Sequence, residues 1–275
     1  MASTQGFPVT GTCGKRPLAL LDILGFRAMV ARQGAQATAS TMWRLQTLLQ
    51  VYGTNPHVNP ETGDGKVQVI AYSDSVLLWS EKAGVDGLLL VIEKAAKVIA
   101  VGMGLGVPLR GAVTCGDLCV STDRQIFVGP GLVRAYDLEQ SQRWGGAIVD
   151  PALAESAERQ AVDVALATSL LRPYDVPVGT QRLREAHLAL DWTRVLHGWS
   201  GRSLRDGFEH MLGAPDARAR EKQDAILEFW NAGPDPTAVR GLREAARRRA
   251  VERYRAEGAW ETLEKALKER LSRSI

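Results

Sequence analysis

With 275 residues, 45% of them hydrophobic and 24% charged, the chain can bury a sizeable core and is too apolar to remain disordered. A formal charge of +3 selects no partner class by itself; without an extended basic motif no nucleic acid is expected, and a small phosphorylated ligand fits as well. The three cysteines, Cys13, Cys115 and Cys119, are odd in number and lack the partner set of a zinc site, which argues against a disulfide framework, and Cys115 and Cys119 read as small core residues.

Residues 1–16 read as a flexible leader, with no basic segment running into an apolar one. LALLDILG at 18–25 is a strand apolar on both faces that ends at Gly25. Asp22 is out of place in it, because a buried carboxylate is costly without a partner. Residues 26–52 predict a helix with apolar positions at Met29, Val30, Met42, Leu45 and Leu49, and 55–65 is a loop dense in turn-forming residues. KVQVIAY and SVLLWSE, at 66–72 and 75–81, are strands separated by Ser73-Asp74, the length of a two-residue hairpin turn. Ser-Asp is not the usual chemistry of such a turn, so Asp74 is a candidate for a retained carboxylate.

A helix follows over 84–102, then a strand over 107–114. Leu118-Cys119-Val120 is expected to pair with Ile126-Phe127-Val128 across a polar turn. Further elements are a helix over 131–143, a short strand AIVD at 147–150 and a helix from Pro151. Gly102, Gly104 and Gly106 precede a strand rather than follow one, so they mark a helix end and a turn, not a dinucleotide fingerprint. Residues 166–200 mix short apolar runs with loops and are candidates for further strands; from 219 the chain reads as polar helices packed on the core or on a partner subunit. The order implies an α+β fold, an antiparallel-rich sheet with helices packed on one face. The expected organisation is a leader (1–16), a catalytic domain (17–165) and a C-terminal extension, mixed and then helical (166–275). The apolar stretches at 18–24, 67–79 and 88–101 are too short or too broken to cross a bilayer, so a cytoplasmic location is expected.

If the strands carrying Asp22 and Asp74 are neighbours, both carboxylates reach one edge of the sheet. Close carboxylates repel, and a divalent cation relieves them. Magnesium or manganese takes one or two carboxylates and completes its shell with substrate phosphates. Two such ions, about 3.5–4 Å apart, serve in-line displacement at phosphorus. The same residues also fit a plainer role, turn carboxylates with local hydrogen bonds. Ile23, Leu24, Gly25 and Phe26 lead from Asp22 into a helix, where backbone N–H groups can cradle phosphates. No histidine offers an obvious base: His57 and His197 sit in loop-like settings, and His187 and His210 suit surface or packing roles.

LALLDILGF, IAYSDSVLLW, LRGAVTCGD and FVGPGLVRAYDLE resemble, in that order, the blocks of the class III nucleotidyl cyclase catalytic domain over about residues 17–150. The resemblance implies a ferredoxin-like core and a reaction in which a ribose 3′-oxygen attacks the α-phosphorus and diphosphate leaves. It implies Asp22 and Asp74 as the metal-binding aspartates, Ile23 as the residue adding a backbone carbonyl, two Mn2+ or Mg2+ ions as cofactors, and residues 24–26 as the triphosphate turn. It also implies a head-to-tail homodimer with substrate at the interface. The chain departs from the mammalian pattern: Val133 and Asp137 stand where an asparagine and an arginine are usual, and Ile70 replaces an adenine-reading lysine. DILGF, YSDS and the FVG block are closer in style to the pyrimidine cyclases of the bacterial antiphage system Pycsar. That likeness implies cyclic UMP made from UTP, in preference to cyclic CMP from CTP, as a messenger read by a separate effector. Tyr72 is then a candidate for narrowing the base pocket, and Arg110 and Arg134 for touching base, phosphate or the partner chain. A catalytically degenerate nucleotide-binding regulatory module on the same fold is the alternative.

Overall fold

In the computed structural model, residues 11–52, 67–179, 183–196, 199–233, 236–254 and 265 are described; the loop read at 55–65, His57, His197 and the charged stretch after 254 lie outside them, residue 265 apart. The fold is α+β. The eight described strands, β1 (Thr12–Ile23), β2 (Val67–Tyr72), β3 (Ser75–Ser80), β4 (Leu109–Ser121), β5 (Ile126–Val128), β6 (Gly146–Val149), β7 (Leu171–Val178) and β8 (Leu183–Leu190), form one sheet. Its order is β2-β3-β1-β4-β6-β8-β7, with β5 paired to β4. Every pairing is antiparallel except that of β4 with β6. The helices are α1 (Phe26–Tyr52), α2 (Gly84–Gly104), α3 (Pro130–Ser141), α4 (Arg159–Ala167), α5 (Gly201–Leu212), α6 (Ala217–Ala232) and α7 (Pro236–Tyr254).

Alternation along β1 divides the core. Ala19, Leu21 and Ile23 enter a large cluster that includes residues of all the helices. Helix α2 is apolar on most of its surface, as a helix at the centre of a core must be, and its buried side chains run from Leu88 to Met103. Leu18 and Leu20 face a smaller cluster with Leu77, Trp79, Leu118 and Val120, and there Leu132 and Ala135 of α3 pack against the sheet. The close approach of α3 rests on two glycines: a Cβ on Gly116 would meet the Cα of Gly131 at 2.7 Å. So most helices pack on one face, and α3 is set against the other.

Several boundaries differ from the sequence reading. Strand β1 begins at Thr12, inside the segment read as a leader, and runs in register with β4 from Thr12↔Val120 to Ile23↔Leu109. This brings Cys13 opposite Cys119, and the two form a disulfide. The expectation of no disulfide is therefore corrected; only Cys115 is free. The segments read as separate strands at 107–114 and 118–120 are one continuous strand, β4, which pairs with β5 as expected. Pro151 opens a 3-10 turn rather than a long helix, and α4 starts at Arg159. Helix α1 bends at Gly34, where φ is 77°.

Candidate active site

Asp22 lies one residue before the end of β1. In register it faces Ser75 of β3 on one side and Arg110 of β4 on the other. Asp74 precedes Ser75 in the two-residue turn between β2 and β3. The N–H of Ile23 donates to the carbonyl of Asp74 at 2.8 Å, which ties that turn to the end of β1. The two aspartates thus share one end of adjacent strands. Ser73 takes a left-handed backbone, φ 51°, where glycine or asparagine is at ease. His210 is on α5 and His187 on β8, and neither element carries a candidate carboxylate.

Asp22 has its carboxyl pushed up to about 6, first by burial and then by the negative charges of Glu139 and Asp74; Arg110 and Lys222 act in the opposite direction. Glu139, on α3, is buried and paired with Arg110. Its charge therefore reaches Asp22 partly compensated, whereas Asp22 has no hydrogen-bonded cation of its own among the described residues. An excess of negative charge at a part-exposed sheet end suits a divalent cation. No three His, Cys, Asp or Glu side chains converge as a metal set among the described residues. The donors on hand are two carboxylates and the Ile23 carbonyl, a set that fits a magnesium-class ion finishing its shell with ligand oxygens.

The residues expected around this pair divide. The N–H groups of Ile23 and Leu24 are already donated, to the carbonyls of Asp74 and Pro108, each at 2.8 Å. This corrects the expectation that all of residues 23–26 present donors to phosphate, and leaves Gly25 and Phe26. Gly25 has φ 78°, and a Cβ there would come within 3.2 Å of Leu212 at the end of α5. Tyr72 closes β2 opposite Ser75, beside the Asp74 turn, with its ring 5.9 Å from that of Phe127.

Arg110 and Arg134 are committed within the subunit. Arg110 is buried, bonded to Glu139 and, at 2.8 Å, to the carbonyl of Gln142. Arg134 grips both oxygens of Asp150 at 2.9 and 3.0 Å, and Thr114 donates to the same carboxylate. Burial would raise Asp150, but these donors hold it below the usual carboxylate range. Both arginines already hold carboxylates within the subunit, Arg110 buried and Arg134 with half of its side chain exposed. Val133 and Asp137 are exposed on α3, and Ile70 is buried in the smaller cluster.

No protein-family model and no curated protein matches the sequence. Among solved structures the chain is similar to the catalytic core of a rhodopsin-guanylyl cyclase with converted specificity, in complex with ATPαS, at a TM-score of 0.47 and 12% identity over 66% of this chain and 97% of that one.

Two residues near Asp22 escaped the sequence reading. Glu139 belongs to the buried face of α3 with Ala135 and Leu138; a charge at that spacing on an otherwise apolar face was a signal in plain view. Lys222 lies on α6, in a segment whose sequence reads as solvated helix, and only folding brings it within electrostatic reach of Asp22.

Proposed function

We propose that this chain is a divalent-metal-dependent nucleotidyl cyclase that converts a pyrimidine nucleoside triphosphate, UTP in preference to CTP, to its 3′,5′-cyclic nucleotide and diphosphate. The observation that carries the proposal is the meeting of Asp22 and Asp74 at one end of strands β1 and β3, with Asp22 under an excess of negative charge. The four sequence blocks, in order, supply the reaction class.

In this reading Asp22, Asp74 and the Ile23 carbonyl hold the ions. Bound there, divalent cations would acidify the ribose 3′-hydroxyl and neutralise charge on the departing diphosphate. The 3′-oxygen forms a bond to the α-phosphorus, the bond from that phosphorus to the bridging oxygen of the β-phosphate breaks, and the hydroxyl proton passes to water or to a substrate phosphate oxygen. The remaining N–H groups of Gly25 and Phe26 face the phosphate tail, and Tyr72 borders the base. Arg110, paired with Glu139 beside Asp22, is a positioning residue that offsets the negative charge gathered there.

A homodimer completes the site. Its support is an apolar surface left open on the α3 side, with Val133, Tyr136, Ile126 and Val128 all exposed. The subtype likeness extends the proposal to an antiphage messenger read by a separate effector. The second reading is a nucleotide-binding regulator without turnover; it is favoured by Arg110 and Arg134 both being locked in internal pairs. Incubating the pure protein with Mn2+ and an equal mixture of four nucleoside triphosphates, followed by chromatographic identification of products, separates them. Cyclic UMP as the main product is expected. No cyclic product from any of the four would leave the regulator.

A further inference from the structure

Beside the carboxylate pair lies a cleft that the cyclase reading does not use. It has a volume of about 600 Å³ and opens between the first turns of α6 and the end of β7, at Pro177, Val178 and Gly179. Neither Asp22 nor Asp74 lines it. Five cations do: Arg143, Arg184, Arg218, Arg220 and Lys222. Three carboxylates share its wall with them, Glu221, Asp224 and Glu228; Glu228 is bound by Arg184 and Asp224 by Arg205. Arg143 donates its Nε to the carbonyl of Gly179 at 2.8 Å, a neutral partner. Among the described residues Arg143, Arg218, Arg220 and Lys222 have no carboxylate partner.

Lys222 is the group shared by the cleft and the carboxylate pair. It is half-buried, and its ammonium is held below its usual value by burial first and then by Arg110, Arg143 and Arg218; Asp22 acts the other way. Arg110 flanks Asp22 in register and donates to the carbonyl of Gln142, next in sequence to Arg143 of the cleft, so a cleft short of negative charge lies close to a carboxylate pair short of positive charge. The two deficits adjoin. A lone anion would relieve one and a lone cation the other. A metal-bound polyphosphate relieves both at once, and arginines suit its oxygens because their planar forks donate two parallel hydrogen bonds.

We propose that the α6 cleft, through Arg143, Arg218 and Lys222, takes the terminal phosphates of the nucleotide whose metal is held by Asp22 and Asp74. The C-terminal extension, through Arg218 and Lys222, thereby adds from the same subunit cations that α3 does not present. The ligand chemistry is that of a di- or triphosphate, and its assignment to the nucleotide tail rests on the cyclase reading. The binding itself does not, since the cleft attracts a polyphosphate without metal.

The test is calorimetric titration of the whole protein with inorganic diphosphate in the presence of a chelator. The wild type is expected to bind it. The Arg218→Gln, Lys222→Gln double variant, shown by circular dichroism to be folded, is expected to bind about tenfold more weakly or worse. Asp22→Asn, which removes a nearby negative charge, is expected to bind at least as well as the wild type. No binding to the wild type, or equal binding to the double variant, would overturn the cleft as an anion site. A second titration, with the metal complex of a non-cyclisable UTP analogue already bound, tests the assignment: diphosphate should be excluded, and simultaneous binding would contradict the shared site. If the wild type makes no cyclic product and the cleft still binds diphosphate through Arg218 and Lys222, the cyclase reading fails and the anion site stands.

Discussion

Asp22 is held at a sheet end where its ionised form is disfavoured, and this has a consequence for stability. Its carboxyl is pushed up to about 6, above the ordinary value for an unfolded aspartate. The folded state therefore holds this proton more tightly than the unfolded state, and this group lowers stability as pH rises from about 4 through 6. In the metal-free protein Asp22→Asn is expected to raise the melting temperature at about pH 8 and to give no gain at about pH 4; an equal gain at both would contradict it. Divalent cations should erase the gain by stabilising the ionised wild type. The position of Asp22 was legible because a carboxylate interrupts an apolar strand, and that of Asp74 because it occupies a turn that normally takes glycine or asparagine. The partners of Arg110 and Arg134 were not legible. Glu139 and Asp150 are set against them by the packing of α3 on the sheet, a tertiary relation with no local pattern.

At the scale of elements, the order of strands and helices through β6 followed from periodicity and turn chemistry. The late start read for β1 and the missed disulfide share one origin. Where β1 starts decides whether Cys13 lies on a strand, and the polar residues Thr12 to Arg16 carry no apolar alternation to announce it. Their strand character comes from pairing with the long β4, and with it comes the Cys13–Cys119 bridge. This bridge spans 106 positions of sequence, so reducing it should cost about 2–4 kcal/mol by freeing the unfolded chain. Thiol titration under denaturing conditions is expected to find one thiol before reduction and three after. Cys115, pushed up to about 11 by burial and by Glu158, should react slowly in the native protein. Three thiols in the unreduced, air-handled protein would contradict the pairing.

At the scale of the molecule, the sheet sets the carboxylate pair between two unlike surfaces. On the α3 side lies the exposed apolar group around Val133 and Tyr136; beside α6 lies the cationic cleft. If the proposed homodimer closes over this surface, Val133→Glu should shift the sedimenting species from dimer to monomer and depress cyclic product with Asp22 and Asp74 untouched; unchanged sedimentation would contradict that interface. The sequence leaves the helical extension to pack on the core or on a partner subunit and gives no sign of its approach to Asp22, because the charges of α6 read as a solvated face until the fold brings Lys222 within electrostatic reach of that carboxylate. No helix among the described residues is long and apolar enough to cross a membrane. Asp22 and Asp74 are proposed to act as one metal-holding unit. The most direct measurement is the rate of cyclic-nucleotide formation from UTP and Mn2+ by wild type, Asp22→Asn, Asp74→Ala and the double variant, each confirmed folded. Each single variant should lose about a thousandfold or more in kcat/KM, with the double variant little worse than either, as for groups that act together. Near-wild-type turnover in either folded single variant would contradict it.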